Sequence, residues 1–261
     1  MIFENRFQNK TIVVTGAAQG IGKETALRAA REGAAVAMID RSPYVHEVAE
    51  EAKKEGLEAI SLIADLETIE GFEAALQSVV DAYSKIDVLI NNVGGTIYTK
   101  PYDVYEPDEI ESEITRSLYT TLWGCRAVLP HMLNNKSGVI INISSIATRS
   151  IRRVPYAAAK GGVNAMTASL AFEYAPHNIR VVGVATGGTE APPRLVPRHP
   201  GEESAQEKAW YQEIIDQTID STLMKRYGTL EEQVAPILFM ASDEASYITG
   251  VTLPVSGGDL G

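Results

Sequence analysis

A doubly wound α/β fold, one parallel sheet with helices on both faces, is predicted by three features of this sequence. Short Val- and Ile-rich runs alternate with longer stretches whose apolar residues recur every three or four positions, the patterns of strands and helices in turn. The short runs are apolar almost throughout rather than at every second residue, as strands covered on both faces are. A glycine-rich turn joins the first run directly to the first helical stretch.

Taken in order, the expected strands are Thr11–Val14, Ala35–Ile39, Ala59–Ile63, Val88–Ile90, Val139–Ile143, Val181–Val184 and Val251–Val255. Helical periodicity runs over Lys23–Glu32, Val45–Glu55, Gly71–Tyr83, Glu109–Leu133, Pro155–Tyr174 and Leu230–Ala241. Right-handed crossovers leave few ways to connect seven parallel strands through these helices. No composition break, repeat or low-complexity tract divides the chain, so residues 1–261 read as one domain. The irregular part is Gly187–Gly201, GGTEAPPRLVPRHPG, whose four prolines prevent regular structure, followed by a polar helical segment, Glu202–Thr222. An excursion beyond the end of a strand lies where open α/β sheets bind ligands, so residues 187–222 are read as a substrate loop or lid.

Composition narrows the function. With 34 acidic and 23 basic side chains the net charge is −11, which argues against nucleic acid or an acidic lipid surface as partner. The lone Cys125 forms no intrachain disulfide, and the four histidines show no ligand spacing with it, so no metal is expected. The N-terminal MIFENRFQNK lacks an apolar signal core, and no apolar run approaches the ~20 residues that span a bilayer. A cytoplasmic protein acting on a small molecule is the expectation.

Three constellations carry chemistry. In Thr15-Gly16-Ala17-Ala18-Gln19-Gly20-Ile21-Gly22, glycines at a strand-to-helix turn let the backbone approach a pyrophosphate at a helix N-terminus, so Gly16, Gln19, Gly20, Ile21 and Gly22 are expected to hold a dinucleotide in a Rossmann fold. The second strand ends at Asp40, roughly 20 residues past the last glycine, where a carboxylate accepts from ribose hydroxyls and repels a 2′-phosphate. NAD is favoured over NADP, although the adjoining Arg41 could pair with a phosphate. Further on, Ser145 follows a strand, and Tyr156 and Lys160 stand four apart on one helix face. An ammonium beside a phenol favours the phenolate, a general base for a substrate hydroxyl that Ser145 could align.

The ensemble resembles the short-chain dehydrogenase/reductase family along the whole chain: TGAAQGIG, Asp65-Leu66, Asn91-Asn92-Val93-Gly94, Ser145, YAAAK, SDEASYITG and Gly257-Gly258 occur in the family's order. That resemblance implies an enzyme with Ser145, Tyr156 and Lys160 as catalytic residues and Lys160 also on the nicotinamide ribose. It implies Asp65 and Leu66 beside the adenine, Asn91 toward the adenosine side, and Asn92, Gly94 and Thr189 on the cofactor. Ser117 stands where the family has a catalytic asparagine and is the fourth expected catalytic residue, with a proton relay built differently from the family's. Thr186-Gly187 replaces the usual Pro-Gly after the sixth strand. An assembly is also implied, a dimer or, as expected here, a homotetramer built on the fourth and fifth predicted helices.

Within the family, NNVGG, SSIATR, VPYAAAKGGVNA, ATGGTEAPPR and RYGT are similar to the dehydrogenases of carboxylated cis-dihydrodiols formed from benzoate and its relatives. The resemblance implies oxidation of 1,2-dihydroxycyclohexa-3,5-diene-1-carboxylate with NAD to catechol and carbon dioxide. Ring-substituted diols, a ketone or 3-oxoacyl reductase and a non-catalytic nucleotide sensor are the alternatives. A carboxylate needs a cationic pocket, and Arg149, Arg152 and Arg153 lie between Ser145 and Tyr156 while the lid adds Arg194, Arg198 and His199. Arg149, Arg153 and Arg194 are the expected substrate contacts.

Overall fold

The computed structural model describes residues 2–198, 201 and 204–260. Its sheet has seven parallel strands in the order β3-β2-β1-β4-β5-β6-β7. They are β1 Thr11–Thr15, β2 Ala35–Asp40, β3 Ala59–Ile63, β4 Val88–Asn91, β5 Gly138–Ser145, β6 Ile179–Thr186 and β7 Thr252–Val255. The doubly wound class and the seven strands agree with the expectation from sequence. The central strands β1 and β4 are wholly buried, which is why their runs are apolar without alternation.

Side chains alternate across a strand, so neighbours enter opposite layers. Val14 packs in a core with Leu27 of α1 (Gly20–Arg31), Val48 of α2 (Tyr44–Lys54) and Ile237 of α8 (Leu230–Ala241). Val13 packs instead with Phe72 of α3 (Ile69–Tyr83), Val128 of α5 (Thr120–Asn135) and Ala171 of α6 (Val154–Tyr174). From β1 the chain first builds outward to β2 and β3, then returns to β4 on the other side of β1. The loops after β1 and β4 therefore part, and a crevice opens at the strands' carboxyl ends.

The stretch predicted as one helix over Glu109–Leu133 is more complex. Helix α4 (Pro107–Ile114) passes into a single π turn, Thr115–Tyr119, and then into α5. Ser117 lies buried inside that turn, and such turns occur often at functional sites. Among the described residues, the segment read from sequence as a loop or lid begins without regular structure apart from a bridge between Thr189 and Gly228. It continues in α7 (Ala205–Ser221), which starts on a capping box in which Ser204 and Glu207 satisfy each other's backbone N–H groups. Among the described residues, no helix is long and apolar enough to cross a membrane, and no group of His, Cys, Asp and Glu could hold a metal ion.

Candidate active site

A cleft of about 1750 Å³ runs along the carboxyl ends of the strands. At one side β1 turns through Gly16 and Gly20, whose φ angles of +66° and +59° favour glycine. A Cβ on Gly20 would meet nothing within 4 Å, so that backbone is open to a ligand. Gln19 makes no side-chain cap, and no acidic residue stands in the first turn of α1. Uncapped N–H groups with the positive end of the helix dipole thus face the cleft, a fit for a pyrophosphate.

At the end of β2 the Asp40 carboxylate accepts hydrogen bonds from the Ala18 and Ser42 N–H groups at 3.0 and 2.9 Å. Its remaining lone pairs can accept from two hydroxyls, as a ribose requires. Ile21, Arg41, Asp65, Leu66, Asn92 and Thr189 also line the cleft. Arg41 lies 3.7 Å from Glu67. Thr189 is held in place by backbone bonds that tie Gly188 and Glu190 to Gly228. Together these groups suit a nicotinamide dinucleotide.

Three expected cofactor positions do not line the cleft: Gly22, Asn91 and Lys160, the last buried behind Tyr156. Gly22 does not line the cleft: a Cβ there would come 2.1 Å from the Gly16 carbonyl oxygen, so this glycine lets α1 pack onto its own turn. Asn91 points into the core, donating to Asn142 Oδ1 at 3.0 Å, whereas Asn92 donates to the Thr15 carbonyl at 3.0 Å and borders the cleft. Alternation along the strand end separates these neighbours.

At the other side Ser145 ends β5 and accepts from the Ala147 N–H at 3.1 Å. Tyr156 stands in the first turn of α6 and lines the cleft with Ser145. One turn on, Lys160 is buried behind it: its ammonium lies 5.8 Å from the Tyr156 ring centre and donates to the Ile143 carbonyl at 2.7 Å. Burial lowers its pKa from the ordinary lysine value. Gly94, with φ +148°, forms the adjoining wall, and a Cβ on it would come 3.1 Å from the Lys160 ammonium. Ser117 does not reach the cleft. It lies beneath this wall and accepts from the Gly95 N–H at 3.3 Å.

The arginines separate sharply. Arg153 lines the cleft with its guanidinium 5.9 Å from the Tyr156 ring centre, and Arg194 lines it from the lid. Arg149 is exposed and outside the cleft, so its expected substrate contact is not met. Arg152 is paired with Glu213 of α7 at 2.8 Å and serves to fasten the lid helix. His199 lies outside the described residues.

The sequence model of the short chain dehydrogenase family matches residues 10–197. The chain belongs to the short-chain dehydrogenase family. It is 55% identical to the 1,6-dihydroxycyclohexa-2,4-diene-1-carboxylate dehydrogenase of Acinetobacter baylyi, covering 98% of each chain, and 54% identical to that of Pseudomonas putida, covering 98% of this chain and 94% of the other. Among solved structures, a 3-oxoacyl-[acyl-carrier protein] reductase with bound NAD from Brucella melitensis superposes with a TM-score of 0.85 at 27% identity, covering 99% of this chain and 94% of that one.

In this short-chain dehydrogenase, two cleft residues had no signal in sequence: Tyr211 of α7 and Tyr227 reach the cleft from segments far along the chain. Arg198, named from sequence in the cationic group but not among the expected substrate contacts, also lines the cleft. Glu113 was also silent. It is fully buried on α4, its Oε1 accepts from the Ile97 and Tyr98 N–H groups at 2.6 and 2.8 Å, and its Oε2 has no partner. Burial pushes its carboxyl up to about 7 from 4.5. The folded state therefore favours the neutral acid, so this contribution to stability is complete below about pH 4.5 and is lost as pH rises through about 7. At 1.36 kcal/mol per pKa unit, the loss relative to Glu113→Gln is about 3 kcal/mol. Denaturant titrations of both proteins between pH 4 and 8 should diverge in that direction; parallel profiles would refute it.

Proposed function

We propose that this chain oxidises 1,6-dihydroxycyclohexa-2,4-diene-1-carboxylate, the cis-diol of benzoate, with NAD to give catechol, carbon dioxide and NADH. Numbered in the other direction, this is the 1,2-dihydroxy-3,5-diene named above. The observation that carries the reading is 54–55% identity, along nearly the whole chain, with two dehydrogenases of that name. The cleft supports it: Ser145 and Tyr156 line it together with Arg153, Arg194 and Arg198, and the Arg153 guanidinium lies 5.9 Å from the Tyr156 ring centre, so a strongly acidic chain places cations near these hydroxyls.

In the reaction, Tyr156 takes the proton of the secondary ring hydroxyl, which Ser145 holds in line. Bound NAD supplies the acceptor for the hydride leaving the same carbon. Lys160 and Arg153 surround the phenol ring with positive charge, which stabilises negative charge on its oxygen as the proton moves. The resulting ketone neighbours the carbon bearing the carboxylate, a β-keto acid. Breaking the bond to carbon dioxide leaves its electron pair in the ring as an enolate, and the proton first taken by Tyr156 returns to that oxygen to give catechol. Ser117, through the Gly95 N–H, holds the Gly94-Gly95 segment that packs against Lys160.

We assign NAD rather than NADP on Asp40. A 2′-phosphate there sets like charges together at a cost of several kcal/mol, so kcat/KM with NAD should exceed that with NADP by about 100-fold. Asp40→Ala should narrow the ratio at least tenfold; a wild-type preference for NADP would overturn the assignment. The proposed working form is a cytoplasmic homotetramer, for which exposed Tyr119 and Phe172 on the α5 and α6 side offer apolar surface. The decisive assay supplies the carboxylated diol and NAD and follows reduced cofactor, catechol and carbon dioxide together. Equal amounts of all three are expected, and no turnover of this diol would end the reading.

A further inference from the structure

Six guanidiniums lie in or beside the cleft or its lid, and five of them are committed or exposed. Arg41 and Arg116 face Glu67, Arg152 is paired with Glu213, Arg153 donates to Ser150 Oγ at 2.8 Å, and Arg194 sits on an exposed stretch of the lid. Arg198 differs from all of them. Its Nε is buried without a hydrogen-bond partner, and among the described residues no carboxylate forms an ion pair with it. A buried cation is costly unless an anion joins it.

The fold holds this group in one place. Gln19 clasps the lid just before it, accepting from the Leu195 and Val196 N–H groups at 2.9 and 3.2 Å and donating to the Val196 carbonyl at 3.0 Å. The guanidinium then lies flat on Gly95, where a Cβ would come 2.6 Å from both Cζ and Nε. Gly95 has φ +126°, so glycine is favoured by backbone and by space alike. The preceding residue, Gly94, is the one that rests against the Lys160 ammonium. Arg198 and Lys160 thus pack against consecutive residues of one segment, and their charges act on each other. The Arg198 charge acts on Tyr156 and Lys160, is drawn toward the buried Glu113 and is opposed by Arg116 and Arg194.

We infer that Arg198 binds the substrate carboxylate and is the residue that selects carboxylated diols. In the substrate, the carboxyl group hangs from the ring carbon next to the one that loses hydride, so its cation has to stand beside the Tyr156–Lys160 pair. Arg198 is the cleft guanidinium that combines this position with an unmet hydrogen-bond donor. A guanidinium fork meets a carboxylate with two parallel hydrogen bonds, which fixes the ring's orientation as well as adding affinity. Of the arginines expected from sequence, Arg153 is left to orient the Tyr156 ring and Arg194 to border the entrance.

This inference rests on the proposed diol oxidation, and two measurements separate their failures. The first compares kcat/KM for the carboxylated diol with that for the carboxyl-free cis-diol in wild type, Arg198→Met and Arg198→Lys. The ratio should fall about 100-fold in Arg198→Met, the scale of a lost charge-assisted pair, and recover in part in Arg198→Lys. An unchanged ratio, or equal losses on both diols, would overturn the role of Arg198. The second titrates benzoate into the NAD-saturated proteins by calorimetry. Wild type should bind it and Arg198→Met should bind at least tenfold more weakly. If wild type turns over neither diol yet binds benzoate through Arg198, the reaction is wrong and the carboxylate site stands; equal benzoate affinity in wild type and Arg198→Met would refute the site.

Discussion

Tyr156→Phe is expected to lower kcat by roughly 100- to 10,000-fold, the span contributed by a positioned proton-transfer group. The substitution removes one oxygen from a side chain that is already buried against its surroundings, so the ring stays packed between the Arg153 and Lys160 cations. In the proposed reading NAD is held mainly by the β1 turn, α1 and Asp40, so its binding should change little. Measured together, single-turnover NADH formation and NAD affinity distinguish loss of the base from loss of the site. Turnover near that of wild type would show that another group takes the proton.

Lys160→Met is expected to lower kcat by roughly 100- to 1,000-fold, the cost of removing one fixed charge from a water-excluded site, without lowering Tm. The two halves have one cause. The ammonium is wholly buried, one carbonyl bond to Ile143 is its hydrogen bond within the chain, and desolvation works against its charge. Methionine fills nearly the same volume and carries no charge to desolvate, so stability is preserved while the field at the Tyr156 oxygen is lost. A marked fall in Tm would mean that the Ile143 bond outweighs that desolvation. A kcat close to wild type would remove Lys160 from the mechanism.

Much of this molecule was legible because its signals are local. The unbroken apolar runs of β1 and β4 report burial on two faces, and Gly16 and Gly20 report a turn that needs positive φ. Tyr156 and Lys160 share a face because a helix returns after four residues. The π turn at Thr115–Tyr119 was not legible, because its periodicity over a few residues differs too little from that of the continuous helix around it. Asn91 was expected at the cofactor along with Asn92, because adjacent identical residues carry no sign of which one faces the core.

By itself, then, the chain's sequence determined the layer architecture, the glycine turn after β1 and the serine and tyrosine at the cleft with the lysine buried behind them. The tertiary structure alone decided which cations border the cleft and which are paired with carboxylates. Arg149 and Arg153 are four residues apart, yet one is exposed and the other borders the cleft; Arg152 is spent on Glu213, and Arg198 is left with an unmet donor over Gly95. The reason is physical: a guanidinium's role depends on whether a carboxylate lies within reach, and here that carboxylate, when there is one, comes from a segment tens of residues away whose position exists only after the sheet and lid have packed.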